Sequence, residues 1–345
     1  MKILILYEEL AGYFVSCVKE LSRNNEIYII CEQPNNSAPF DFSNTSLNIS
    51  FKNEYTYGSL LQKVKEIEPD AIFVGGWKTP MFNQICKMYS KKINVVLGFD
   101  NAWKFSIKQF LNIVRFRLYK KNSYTKCFVP GQKQKKYAKL LGFKEINISM
   151  GAYSCDYELF NNYYESTFSE KEKNFPKRLL FVGRYSKVKG IEKLWNSFIE
   201  VVEQTNSNWE LWCIGKGEIP ALNHPKIKHL GFIQPDQLDE VIRETGVFVL
   251  PSNFEPWGVV IHEYALAGFP IISSTEVGAN EDFVLPDQNG WIVNPNNSDE
   301  LKKVILKVFS KNTEELIEMG KISHELGGKN TPQKWAKSLM NLMQS

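Results

Sequence analysis

Val247-Phe248-Val249-Leu250-Pro251-Ser252-Asn253-Phe254-Glu255-Pro256-Trp257-Gly258-Val259-Val260-Ile261-His262-Glu263 reads as a buried strand, a loop and the first turns of a helix. Four apolar residues make the strand, Pro251-Ser252 ends it, and the helical pattern begins near Gly258. Glu255 therefore lies in the loop at the strand's carboxyl end, and Glu263 on the helix that follows. The amides from Gly258 through Val259 to Val260 belong to a helix start. Unpaired N–H groups and the positive end of the helix dipole together make an anion site there. A carboxylate for hydroxyls, donors for a phosphate and a second carboxylate for hydroxyls suit a nucleotide sugar. The same acidic spacing also occurs on any solvated helix face.

The pattern around this unit is repetitive. Apolar strand-like runs at Ile3–Tyr7, Glu26–Cys31, Asp70–Gly75, Ile93–Phe99, Thr125–Val129 and Glu145–Ile148 alternate with helical patterns, among them Gly12–Leu21, Leu60–Glu66, Met81–Tyr89 and Gly131–Leu141. Residues 32–57, rich in Asn, Ser and Pro, predict a long loop or irregular strands. A polar run, Asn161–Lys177, reads as a linker. The alternation restarts with strands at Arg178–Val182, Glu210–Ile214, Lys226–Leu230, Val247–Leu250 and Pro270–Ser273. Helical patterns at 299–309, 313–326 and 332–343 end the chain. Such alternation predicts α/β architecture with parallel sheets, whose ligands sit at the carboxyl ends of the strands. Boundaries fall at 1–165 for a first Rossmann-like domain and 175–330 for a second. Residues 331–345 form a closing helix that would pack back on the first domain.

Bulk composition agrees with two domains: 345 residues, 43% hydrophobic and 23% charged. No apolar run approaches the roughly 20 residues of a membrane helix. Met1–Glu9 turns acidic too soon for a secretory leader and reads as a first buried strand, so a cytoplasmic protein is expected. Six scattered cysteines without a C-x-x-C pair fit free thiols in a reducing compartment. Four histidines without ligand spacing, and no D-x-D, predict no bound metal and no cofactor. Net charge is +4, unevenly spread. Lys and Arg number 22 against 16 acids up to Glu170, and 20 against 22 beyond it; between Asp100 and Glu145 stand 12 basic residues and no acid.

The stretch 254–263 resembles the E-x7-E signature of retaining glycosyltransferases of family 4, proteins of the GT-B fold with two facing Rossmann-like domains. The resemblance implies that Glu263 holds the donor ribose and Glu255 lies beside the transferred sugar. Phe181-Val182-Gly183-Arg184-Tyr185-Ser186-Lys187-Val188-Lys189-Gly190 resembles the same family's G-R-x-x-x-x-K-G turn. Carried over, Arg184 and Lys189 stabilise the departing diphosphate, Arg as a planar fork and Lys as a point charge. Lys216, in Gly215-Lys216-Gly217, would meet phosphate, and Ile233, after Gly231, the base. Ser274–Glu281 matches a further family segment, with Val277 in place of a glycine; capping and packing, or ligand contact, are both open for it.

The first half matches less closely. Tyr7-Glu8-Glu9-Leu10-Ala11-Gly12 occupies the place of a glycine-rich loop, but only Gly12 fits, and Glu8-Glu9 would repel phosphate. Phe99-Asp100 stands where many members carry His-Asp. Gly12 and Asp100 are the acceptor-side candidates, Asp100 serving as hydroxyl ligand or strand cap. Residues 104–121 interleave Lys104, Lys108, Arg115, Arg117, Lys120 and Lys121 with aromatic and aliphatic side chains. They fit either an anionic membrane surface or an ordinary helix with its stripe in the core; no nucleic-acid recognition fold accompanies the charge.

The resemblance implies transfer of a hexose or N-acetylhexosamine from a nucleoside-diphosphate sugar to a glycan or lipid-linked acceptor, in bacterial surface polysaccharide or lipopolysaccharide assembly. Two other readings share the donor site: a GT-B nucleotide-sugar hydrolase or epimerase, and a non-catalytic nucleotide-sugar-binding partner subunit.

Overall fold

The structure is a computed structural model and describes residues 1–8, 10–33 and 45–345. The chain forms two compact units, one of residues 1–154 with 331–345, the other of residues 155–330.

In the first unit the elements run β1 (Lys2–Tyr7), α1 (Gly12–Ser22), β2 (Glu26–Cys31), β3 (Asn48–Phe51), α2 (Tyr57–Ile67), β4 (Ala71–Gly75), α3 (Pro80–Tyr89), β5 (Asn94–Gly98), α4 (Ile107–Tyr119), β6 (Lys126–Val129), α5 (Gln132–Leu140) and β7 (Ile148–Met150). Among the described residues seven parallel strands lie in the order β3-β2-β1-β4-β5-β6-β7. Strand residues alternate between two apolar layers: Leu4 and Leu6 enter one core, Ile3 and Ile5 the other. Both faces are thus covered, which is why the strands read as unbroken apolar runs.

The second unit runs α6 (Tyr157–Lys173), β8 (Arg178–Val182), α7 (Ile191–Thr205), β9 (Glu210–Ile214), β10 (Ile227–Gly231), α8 (Asp239–Glu244), β11 (Val247–Leu250), α9 (Val259–Leu266), β12 (Ile271–Ser274), α10 (Asn280–Phe283), β13 (Gly290–Val293), α11 (Ser298–Ser310) and α12 (Thr313–Gly327). Its six parallel strands are ordered β10-β9-β8-β11-β12-β13. The last helix, α13 (Pro332–Gln344), returns to the first unit and packs on α1. Trp335 anchors it there, buried, with its indole N–H donating to the Ala152 carbonyl at 2.9 Å.

Three expectations need correction. Asn161–Lys177 is not a linker: most of it lies in α6, a helix of the second unit. Phe160, Tyr163, Thr167, Phe168 and Lys171 recur at helical spacing and are buried, a stripe hidden within a polar stretch. Glu145–Ile148 is not a strand; a 3-10 turn spans Glu145–Asn147 before β7 begins. Glu145 turns outward there to pair with Lys135 and Lys139 of α5. Within 32–57, β3 is a regular parallel strand on β2 rather than loop, while 34–44 lie outside the described residues.

In each sheet the strand order reverses once, between β1 and β4 and between β8 and β11. Loops leaving the carboxyl ends of those two strands diverge to opposite faces and open a crevice, the usual ligand position in such sheets.

Candidate functional site

In the second unit the loops after β8 and β11 are tied together at this switch point. The amides of Asn253 and Phe254 donate to the Val188 carbonyl at 2.8 and 3.3 Å. Gly190 closes the first loop at φ +70°, and a Cβ there would lie 2.5 Å from the Pro251 carbonyl oxygen, so only glycine fits. This lacing brings the Lys189 ammonium onto the Glu255 carboxylate as an ion pair shielded from water. A third loop, after β12, braces Glu255 from its other side: the Glu255 amide donates to Glu276 at 3.1 Å and its carbonyl accepts from Gly278 at 3.1 Å. A Cβ on Gly278 would strike the Pro256 carbonyl. The Ser274–Glu281 segment thus supports the acidic loop through its backbone, while Glu281 is exposed on α10.

Gly258 then turns the chain at φ +91°, with Glu255 Cγ 2.8 Å from where a Cβ would stand. Val259 opens α9 with no side-chain cap, leaving the first amides of the helix available to an anion. Glu263 follows one turn along α9. Burial pushes its carboxyl up to about 8, and the nearby Asp156 carboxylate adds to the rise. Its neighbour His262 is buried core. The Cys155 amide donates to Nδ1 at 3.1 Å, so Nε2 carries the proton and donates to the Gly327 carbonyl at 2.9 Å. Burial lowers this imidazole to about 4.

Arg184 and Lys216 stand exposed on adjacent strand ends. Three glycines stack beneath them. The Gly183 amide donates to Ile214 at 3.0 Å, and the Gly215 amide to Gly231 at 2.7 Å. A Cβ on Gly215, at φ +131°, would sit 2.0 Å from the Gly183 carbonyl oxygen. The Lys216 stem lies over Gly231, 3.3 Å from a Cβ built there, and Ile233 is half-buried two residues beyond. The structure thus joins Lys189, Glu255 and Gly258 directly, with Val259 opening the next helix. Arg184, Lys216 and Ile233 sit at the neighbouring strand ends of the same sheet.

The first unit holds a cavity of about 780 Å³ at the ends of β1, β4 and β5. Asp100 lines it, beside Tyr7 and Tyr153, whose hydroxyls are raised by burial and then by this carboxylate. Glu8 also lines it, but its Oε1 accepts from the amides of Lys78 and Thr79 at 2.8 and 2.9 Å. That carboxylate is committed to the start of α3; Glu9 lies outside the described residues. Gly12 begins α1, where a Cβ would meet nothing within 4 Å, so no crowding explains this glycine. Phe99, in the place of the family's histidine, packs edge-on against Trp77 and Tyr137 at 5.1 and 5.9 Å. Sequence reasoning missed Trp77 and Tyr153 as lining residues. The paired glycines Gly75-Gly76 at a strand end were the available signal for the first; Tyr153 carried none.

Residues 164–325 match the family model for glycosyl transferases group 1. Two uncharacterized glycosyltransferases of Methanocaldococcus jannaschii are similar in sequence. One is 32% identical over 144 residues, 39% of this chain and 36% of that protein. The other is 29% identical over 187 residues, 52% of this chain and 49% of that protein. The matches thus span about half the length of these relatives or less. Among solved structures, Anabaena HepE in complex with UDP and glucose superposes with a TM-score of 0.74, covering 100% of both chains at 16% identity. That likeness concerns the fold, and it is the GT-B fold, two sheets of parallel strands. The similarity to glycosyl transferases group 1 thus lies in residues 164–325, and the likeness in fold extends over the whole chain.

Proposed function

We propose that the chain is a retaining, metal-independent glycosyltransferase of family 4, moving a hexose or N-acetylhexosamine from a nucleoside-diphosphate sugar to a glycan or lipid-linked acceptor. One observation carries the reading: Lys189, Glu255 and an uncapped helix start meet at the switch point of the second sheet. Arg184, Lys189, Lys216 and the amides of Gly258 and Val259 would take the diphosphate, whose charge then needs no metal. Glu263 would take the ribose, Ile233 the base, and Glu255 the sugar. In the reaction the bond from the sugar's anomeric carbon to phosphate oxygen breaks and a bond to the acceptor hydroxyl oxygen forms on the same face. The hydroxyl proton passes to the departing phosphate oxygen, and the nucleoside diphosphate leaves. Fixed cations aimed at that developing charge are the chief catalytic contribution.

Asp100 and Gly12 would serve the acceptor in the first unit. A place in bacterial surface polysaccharide assembly, on the cytoplasmic face of an anionic membrane touched through 104–121, completes the reading. Among the described residues no helix is long and apolar enough to cross a membrane.

Calorimetry with UDP, GDP and ADP, followed by donor turnover with and without acceptor extracts, tests this. Glu263→Ala should weaken nucleotide binding about tenfold or more, and Arg184→Ala should depress turnover more than affinity. Unaltered transfer in both variants overturns the assignment; equal turnover without acceptor favours a hydrolase.

A further inference from the structure

Helix α4 turns only Ile113 and Phe116 into the core and leaves most of its apolar side chains outside. Ile107, Phe110, Leu111, Val114 and Leu118 recur at helical spacing, yet they are 82, 61, 63, 43 and 69% exposed, and Phe105 just before them is 86% exposed. A helix of a globular protein normally turns such a stripe to the core. Here the polar residues Lys108, Gln109, Asn112 and Arg115 line the cavity of the first unit. At roughly 100° per residue, Lys108 and Arg115 fall on the edge between the outward stripe and the cavity face. Lys120, beyond the helix end, lines the same cavity and donates its ammonium to the Trp77 carbonyl at 2.6 Å. No acidic residue occurs from 101 to 144; the carboxylates that share the cavity with these cations are Asp100 and Glu8, the latter held by the Lys78 and Thr79 amides. Exposed apolar side chains edged with cations are complementary to an anionic lipid surface.

We propose that α4 lies in the headgroup layer of an anionic membrane, and that the cavity behind it takes the phosphate-bearing head of a membrane lipid as the acceptor. Lys108, Arg115 and Lys120 hold the phosphate, and Asp100 stands at the strand end to meet a hydroxyl. The acceptor thus enters along the helix that touches the membrane. This rests on reading the second unit as the donor half.

Two measurements on the full chain test it, with UDP calorimetry beside them. The chain should sediment with phosphatidylcholine vesicles containing phosphatidylglycerol and not with phosphatidylcholine alone. The double substitution Phe110→Ser with Leu118→Ser, at exposed positions, should abolish this while leaving the circular dichroism melt unchanged. Geranyl phosphate should bind in solution and geraniol should not, with Arg115→Ala weakening it about tenfold. Vesicle binding untouched by the serine pair overturns the proposal, as does a shift in oligomeric state alone. So does geraniol, or inorganic phosphate, binding as tightly as geranyl phosphate. UDP binding should persist in every variant. Lipid binding without UDP binding would support the docking helix and sink the donor reading, whereas UDP binding with indifference to lipid sinks this proposal alone.

Discussion

Lys189 and Glu255, 66 residues apart in sequence, form an ion pair whose side chains are only 17 and 14% exposed. The pair joins the turn after β8 to the acidic loop after β11, so two motifs read separately in the sequence are one unit in the fold. In the proposed function Lys189 serves both this carboxylate and an incoming phosphate.

A double-mutant cycle should expose the link. Lys189→Ala and Glu255→Gln should each destabilise the chain, with a coupling of roughly 1 to 2 kcal/mol, between the exposed and the buried limits for ion pairs. Urea denaturation measures it. In turnover, Lys189→Ala should cost on the order of 100-fold, and adding Glu255→Gln should cost far less than the product of the single losses. Strict additivity in both measurements would mean that the two groups act independently.

Glu263 sets a pH dependence of a definite sign. Its folded value of about 8 lies above that of a free carboxyl, so between about 4.5 and 8 the folded chain holds a proton that the unfolded chain has lost. Its contribution to stability is therefore complete at low pH and falls as pH rises through that window. Hydroxyls donated to the carboxylate favour its ionised form, so UDP binding should release a proton and tighten as pH rises toward 8. Calorimetry in buffers of different ionisation enthalpy detects the proton. Glu263→Gln should remove both the release and the slope; a slope unchanged in that variant assigns the titration to the nucleotide.

The end of the second sheet proposed to hold the nucleotide rests on Gly215. At φ +131°, with the Gly183 carbonyl 2.0 Å from a built Cβ, alanine must push two strand ends apart. Gly215→Ala should cost on the order of 3 kcal/mol in stability and shift Arg184 and Lys216 together, weakening UDP binding at a temperature where the chain remains folded. Gly12→Ala, where a Cβ meets nothing within 4 Å, is the contrast and should leave stability within about 0.5 kcal/mol.

How far residues alone could carry the reading depends on the range of the chemistry. The strand, Pro251-Ser252 break, glycine and helix that place Glu255 and Glu263 are all local, and local patterns suffice for them. α6 escaped because its buried stripe includes Thr167 and Lys171 inside a polar stretch. The Lys171 Nζ lies 3.8 Å from the Phe269 ring centroid, and burial pulls this amine well below the ordinary lysine range, a core lysine that no hydrophobic pattern announces. The first unit's cavity draws Tyr7, Trp77, Asp100, Arg115 and Tyr153 from separate segments, so only the folded sheet brings them into one place. The basic stretch 104–121 was visible as charge. Which face of α4 turned outward was not, because its stripe is equally compatible with a core.

His262 provides the acid limit of the second unit. The Cys155 amide donates to Nδ1 and the Gly327 carbonyl receives the Nε2 proton, so protonating Nδ1 must break the first bond inside the core. The ring also stacks on Phe283 at 4.2 Å. Burial lowers it to about 4, below the ordinary value near 6.5, so between those values the unfolded chain binds the extra proton. Its stabilisation is complete above about 6.5 and is lost as pH falls toward 4, by on the order of 3 kcal/mol. Glu263 slopes the other way over part of this range, so the comparison must be between variants. Urea midpoints of wild type and His262→Asn, taken from pH 7 down to 4, should converge on acidification as the neutral asparagine drops this penalty. Curves that stay parallel would place the charging of His262 outside the unfolding equilibrium.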